Sequence, residues 1–326
     1  LSPSKVSSFK DCALAFRLST IDRVPEPPSA LAAKGTLVHR ALQLLMWEEG
    51  VGRRTLDVAL EKLARAVPEV LDGEEYAGLG LHGDERSEFV DDAVQLVRNY
   101  FDLEDPNRVR VIGTELRMSV TLGTLVLSGI IDRLELDDDG ELVVTDYKTG
   151  RAPSVAYEQT RLGGVHFYAF LCEQVLGRRP ARVQLLHLRE PLSIWTMPSD
   201  QSVRGLRQQT MAIWAAVEQA CEREDFRPRP GWRCQFCAYH EYCPAVGGDL
   251  GRLMGAAGRA SGGATEGGGV EGGEAEGGTA AAVAAGGGGA GAGASRAGGG
   301  ANDGCTEAAR AEPEIDVAEV VGLAGA

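Results

Sequence analysis

Two acids and a lysine lie close together near the middle of this chain. Asp132 sits in Gly129-Ile130-Ile131-Asp132-Arg133, and Asp146 and Lys148 in Thr145-Asp146-Tyr147-Lys148-Thr149-Gly150. The run Leu134 to Val144 between them reads as the limbs of a β-hairpin, apolar on either side of the turn Asp137-Asp138-Asp139-Gly140. Closing that hairpin brings Asp132 to within about one residue of lying opposite Asp146, with the carboxylates roughly 5 Å apart. Asp146 and Lys148, two apart on a strand, share a face. Such a group suits divalent-metal-assisted attack on a phosphodiester: the acids hold the metal, and the lysine orients a water or neutralises developing charge. A solvated hairpin surface would also fit these residues. The apolar flanks Ile130-Ile131 and Val143-Val144 favour chemistry, because they put the acids at a buried strand end, where unpaired charge is expensive unless a cation compensates.

The surrounding pattern supplies elements to position these groups. Helices are expected at Val6–Arg17, Gly35–Glu49, Leu56–Ala66 and Glu85–Phe101, then strands at Val109–Val120, Leu125–Leu136 and Leu142–Tyr147. A helix over Ala156–Leu176, strands at Arg182–Leu188 and Ser193–Met197 and a helix over Ser202–Glu222 follow. This is one α/β domain with a helical insertion, long enough to bury a sizeable core.

The pattern G-x-x-D-R followed by D-Y-K-T-G resembles the PD-(D/E)XK nuclease superfamily, and within it the RecB-like exonucleases that carry an iron–sulfur cluster, including stand-alone actinobacterial proteins. The likeness runs from about Ser2 to Pro244. It implies a restriction-endonuclease-like fold, a central mixed sheet flanked by helices, with the helical insertion and a C-terminal cysteine knot. It also implies a metal-binding histidine on a helix before the sheet, matched by His39 in Gly35-Thr36-Leu37-Val38-His39, and a ligand from the backbone carbonyl of Tyr147. Glu115 matches an acid the family often carries on the preceding strand, and a solvated strand position would fit it as well. The family's Q-x-x-x-Y helix is only half present: Tyr168 fits as a supporting residue, but Gly164 stands in the glutamine position and Gln159 is out of register. His166 or Arg161 could compensate, which leaves the DNA-contact role of this helix open.

Seven cysteines without a signal peptide or an apolar run of transmembrane length suggest a cytoplasmic protein whose thiols bind metal rather than form disulfides. Cys234, Cys237 and Cys243 fall within ten positions. With His240 they could hold Zn2+; with a distant fourth thiolate they could hold a 4Fe–4S cluster. The RecB-like resemblance favours the cluster and implies Cys12 as its fourth ligand, clasping the two ends of the domain together. Cys172 and Cys221 read as ordinary packing or surface residues, and Cys305 as free.

The chain carries a net charge of −14. An acidic protein is an awkward polyanion binder, although whole-chain charge is a poor guide to a local groove. Arg151, Arg161, Arg178, Arg179 and Arg182 after the hairpin, and Arg223, Arg227, Arg229 and Arg233 around the cysteines, could line a basic path or simply be solvated. From about Gly247 the sequence turns Gly/Ala-rich, which points to a division into a nuclease domain over 1–246 and a disordered tail over 247–326. The reading reached is a DNA exonuclease dependent on Mg2+ or Mn2+, acting on single strands or frayed ends in repair or recombination. His39, Asp132, Asp146 and the Tyr147 carbonyl would be its metal ligands and Lys148 its water-orienting group. No G-x-x-x-x-G-K-[ST] phosphate loop is present, so unwinding would come from a separate helicase. Two rivals remain: a non-catalytic DNA-end-binding module of the same fold, and a zinc-knuckle interaction protein.

Overall fold

The computed structural model describes residues 1–152 and 155–253, and for 155–164 the backbone alone. Strands β1 (Arg110–Leu122), β2 (Leu125–Leu136), β3 (Leu142–Lys148), β4 (Arg182–His187) and β5 (Leu192–Thr196) form one sheet in chain order. The first three pair antiparallel, β3 and β4 parallel, and β4 and β5 antiparallel. A parallel neighbour needs a crossover, and helix α6 (Val155–Leu176) provides it. This is the expected mixed sheet of a restriction-endonuclease-like α/β fold.

Helices cover both faces. On one, α3 (Ala30–Glu48), α4 (Leu56–Leu71) and α5 (Gly83–Leu103) bury Leu37, Leu42, Leu63, Leu96 and Tyr100 against Tyr147 and Leu186 of the sheet. On the other, α6 and α7 (Asp200–Glu222) pack Phe167, Leu171 and Trp214 against Leu127, Ile131 and Val144. Strand β3 is consequently buried on both faces up to Tyr147, which explains its unbroken apolar reading.

The helices depart from expectation in two places. The helix expected over Val6–Arg17 divides into α1 (Pro3–Asp11) and α2 (Ala13–Phe16), because Cys12 between them is extended, with φ −162° and ψ 111°. That break takes the Cys12 side chain out of helical register. Helix α4 passes Ala66 and runs through Pro68 to Leu71, since Val70 and Leu71 are buried and their packing outweighs the lost backbone donor.

Several local devices fix the frame. Arg54, buried without a carboxylate partner, donates to the carbonyls of Met46, Glu49, Pro106 and Val109. It thereby satisfies the C-terminal end of α3. Ser199 and Ser202 form a reciprocal cap on α7, whose Trp214 indole N–H donates to Thr124 in the β1–β2 turn. Gly129 lets α6 approach β2: a Cβ there would lie 3.0 Å from Leu171 and 3.3 Å from Phe167. Leu250 and Leu253, in the segment expected to begin the tail, pack on the cluster around Leu14, Leu18 and Tyr239. Residues 254–326 lie outside the described residues.

Gly129→Val should therefore overpack the β2–α6 interface and destabilise the protein by about 1–3 kcal/mol, read from urea unfolding. A variant as stable as the parent would show that the close approach is not what requires glycine.

Candidate active site

The register of β2 and β3 brings the two acids together. Arg133 pairs with Thr145, which sets Asp132 opposite Asp146 one step further along. Both carboxylates are buried, Asp132 at 9% exposure and Asp146 at 3%. Asp132 accepts a hydrogen bond of 2.7 Å from the Tyr147 backbone N–H.

His39 comes from the middle of α3, whose apolar periodicity buries Leu37, Val38, Ala41 and Leu42 and leaves the imidazole on the flank facing the hairpin. Its Nδ1 lies 3.5 Å from Asp132 Oδ2, and its Nε2 lies 3.1 Å from the Tyr147 carbonyl oxygen. Gly35, one turn earlier, allows this approach: a Cβ there would stand 3.3 Å from Thr149 Oγ1.

Glu115 is half-buried. It lies between the pairs Thr114–Arg133 and Leu116–Ile131, hence across from Asp132. Its backbone is left-handed, φ 52°, in the middle of a strand. For a residue other than glycine that conformation costs on the order of 1–3 kcal/mol and occurs where the surroundings enforce it. Here it accompanies a carboxylate turned into the site: single ligand atoms of His39, Glu115 and Asp132 all lie within 4.8 Å of one another. Asp146 stands beside this group, in an ion pair with Lys148, and close enough to the Tyr168 phenol to raise its pKa.

The charges are frustrated. Burial, and then the neighbouring Asp146 carboxylate, push the Asp132 carboxyl up to about 7, although His39 and Lys148 pull it back. Burial likewise raises Glu115. Burial and then the two aspartates raise the Tyr168 phenol, so it stays protonated. One imidazole, three carboxylates and an adjacent backbone carbonyl form an oxygen-rich donor set, which suits Mg2+ or Mn2+ and supplies the negative charge that a divalent cation would balance.

The four cysteines implied as cluster ligands also converge. Cys12, Cys237 and Cys243 pack around Leu14, Leu18 and Tyr239. Burial raises the Cys237 thiol, and Cys12, Cys243 and Cys234 raise it further. Cys12 Sγ accepts from the Arg229 backbone N–H and Cys234 Sγ from that of Gly231, both at 3.4 Å. His240 is exposed. Cys172 is buried and free, and Cys305 lies outside the described residues.

Several of the arginines considered for a basic path form ion pairs. Arg178 pairs with Glu141, Arg179 with Glu173 and Asp200, Arg227 with Asp225 and Arg233 with Asp11. The side chains of Gln159 and Arg161 lie outside the described residues. His166 is half-buried, its Nδ1 lacks a hydrogen-bond partner, and burial lowers its pKa.

Sequence reasoning gave no role to Arg133. It is fully buried and bonded to Glu104, Glu135, Tyr100, Thr145 and Tyr147. An arginine next to an acid inside an apolar strand was the available signal, since such a charge needs buried partners.

The PD-(D/E)XK nuclease superfamily model matches residues 1–244. Gene 69 protein of Mycobacterium phage D29 is 24% identical over 262 residues, spanning 74% of this chain and 96% of the phage protein. Among solved structures, SSO0001 is similar over 65% of this chain and 85% of its own, with 16% identity and a TM-score of 0.31.

The raised Asp132 carboxyl makes stability depend on pH. The folded state holds that proton up to about pH 7, while the unfolded chain releases it near its ordinary value of 3.8. The contribution to stability is therefore full below about pH 4 and is lost as pH rises toward 7. In metal-free protein, Asp132→Asn should stabilise more at pH 8 than at pH 5, as seen in melting temperatures. Metal affinity of the parent, measured by calorimetry, should rise over the same interval as proton competition ends. A pH-independent effect of the substitution would refute the assignment of this proton to Asp132.

Proposed function

This chain belongs to the PD-(D/E)XK nuclease superfamily, and from that premise we propose that it is a metal-dependent DNA exonuclease of the RecB-like type. We assign it to single-stranded or frayed DNA ends in repair or recombination in the cytoplasm, with any unwinding supplied by a separate helicase. The observation that carries the reading is the buried pair Asp132–Asp146 with Lys148 on the same strand and His39 and Glu115 alongside. No helix among the described residues is long and apolar enough to cross a membrane.

In this reading His39, Glu115, Asp132, Asp146 and the Tyr147 carbonyl hold Mg2+ or Mn2+. A bound divalent ion supplies charge stabilisation to the phosphodiester and lowers the pKa of a water. Lys148 orients the attacking water through its ammonium group, half-exposed at the edge of the site. Tyr168, held protonated, stands close to Asp146. The Tyr147 N–H orients Asp132.

The cysteines support a 4Fe–4S clasp joining Cys12 to Cys234, Cys237 and Cys243. Zinc gathers its ligands tightly, with bonds of about 2.3 Å to sulfur. A local zinc site would take His240 as its fourth ligand, and His240 is exposed. That exposure favours an all-thiolate cluster.

Lys148→Ala should lower cleavage of end-labelled single-stranded DNA by about 10²-fold or more, as loss of a proton-handling group does, while DNA affinity stays nearly constant. Asp132→Ala and Asp146→Ala should abolish cleavage and weaken Mn2+ binding in calorimetry. Undiminished activity in any of the three would sink the assignment. A parent protein that binds DNA ends without cutting them would favour the non-catalytic module.

Anaerobically purified protein should be brown and hold about four irons per chain. Cys12→Ser should bleach it and lower its melting temperature, while His240→Ala should do neither. Stoichiometric zinc without iron would replace the cluster by the zinc alternative.

A further inference from the structure

The insertion helix α5 is linked to the D-Y-K-T-G strand at three successive levels, through Arg133, Leu188 and Arg189. At its C-terminal end Tyr100 and Glu104 bond the Arg133 guanidinium, with Glu104 Oε2 3.0 Å from Nη2. Arg133 Nη1 in turn donates to the Tyr147 hydroxyl at 2.9 Å. One turn back, Asn99 Nδ2 donates to the Leu188 carbonyl at 2.7 Å, and the Leu188 N–H donates to the Lys148 carbonyl at 2.8 Å. Two turns further back, Asp92 pairs with Arg189 at 2.7 Å, and Arg189 Nε donates to the Thr149 carbonyl at 3.4 Å. Lys34, beside Gly35 on α3, closes on the same Asp92 carboxylate at 2.5 Å.

We propose that α5 is a positioning element for the catalytic strand, holding the residues on both sides of Lys148 through Glu104–Arg133–Tyr147, Asn99–Leu188 and Asp92–Arg189–Thr149. This rests on the metal-nuclease reading of the site. The physical case is that Tyr147 has two roles at once. Its peptide N–H orients Asp132 and its carbonyl faces His39, while its side chain, on the sheet face away from Asp146, is anchored by Arg133 and meets the His39 ring edge to face. Rotation of that backbone would displace Asp132 and the carbonyl together. The network suits a rigid support: Arg133 is completely buried, and burial tends to raise Glu104, but Arg133 and Tyr100 outweigh it and hold that carboxyl below its ordinary value. None of Tyr100, Glu104, Arg133, Asn99 or Asp92 needs to touch substrate for this role.

The test uses the full chain and four substitutions: Tyr147→Phe, which removes one hydroxyl, Glu104→Gln, Asp92→Asn and the conservative Asp92→Glu. Three readouts are taken well below the melting temperature: Mn2+ affinity by calorimetry, single-turnover cleavage at saturating Mn2+, and DNA affinity. Tyr147→Phe and Glu104→Gln should weaken Mn2+ binding by about 10–100-fold, as loss of support behind metal ligands does. Asp92→Asn should slow cleavage at saturating Mn2+ by about tenfold or more, with DNA affinity changed less than about twofold, and Asp92→Glu should restore it, as expected for a misplaced catalytic group.

Folded Tyr147→Phe and Asp92→Asn proteins that match the parent in metal affinity and rate would overturn the proposal and leave α5 a purely structural helix. Equal losses in DNA affinity and rate would also overturn it, by making α5 a binding element. A parent that binds Mn2+ but leaves DNA intact overturns the nuclease reading alone, because the metal-affinity arm still decides the positioning claim. A parent that binds no Mn2+ overturns both.

Discussion

Everything about the candidate site follows from two carboxylates fixed opposite each other inside a sheet. The pairing of Arg133 with Thr145 leaves Asp132 and Asp146 no freedom to separate, since a one-residue slip would turn every side chain of β3 to the wrong face. Like charges held that close in a poorly solvated place raise each other's energy. The surroundings are arranged to tolerate this. Gly129 admits α6, which brings the Tyr168 hydroxyl to Asp146. Gly35 admits α3, which brings His39 to Asp132. The left-handed Glu115 adds a third acid rather than relieving the other two. A fold selected only for stability would have no reason to concentrate negative charge there, so the strain itself points to a cation.

Lys148 illustrates the same balance. In the metal-free molecule its ammonium neutralises Asp146. In the proposed reaction a divalent ion would meet that charge, and the ammonium would be free to act on a water instead. One lysine can thus stabilise the resting site and take part in the reaction without moving far, because Asp146 and Lys148 stand two apart on the same strand face.

Much of this was legible in the sequence because it depends on short-range rules. The acidic turn ending in Gly140 fixed the hairpin, and strand period placed Asp146 and Lys148 together. The resemblance supplied His39 and Cys12, which no local rule connects to residues about a hundred or more positions away. Other features were hidden for physical reasons. Cys12 interrupts a segment that reads as one helix, because its extended backbone follows from tertiary packing rather than from propensity. The conformation of Glu115 is also unreadable, since nothing in its neighbours demands a positive φ. The ion pairs of Arg178 with Glu141, Arg179 with Asp200 and Arg233 with Asp11 join residues distant in sequence, so they too could not be read along the chain.

Strand β3 divides its labour by parity. Asp146 and Lys148 stand on one face and carry the acid and the ammonium, with Val144 before them packed toward α6. Thr145 and Tyr147 stand on the other, where Arg133, Glu135 and Gln184 bond the threonine and Arg133 bonds the tyrosine. A backbone buried on both sides cannot flex toward either without breaking contacts on the other. The polar row behind the acids therefore matters to them even though it faces away. It stiffens the peptide that carries them, and it does so with a buried ion-pair network whose loss leaves unpaired charge rather than a simple cavity. The interior position of Arg133 follows from that demand. A short apolar residue could fill the space, but it could not reach Glu104 at the end of α5 and the Tyr147 hydroxyl at the same time.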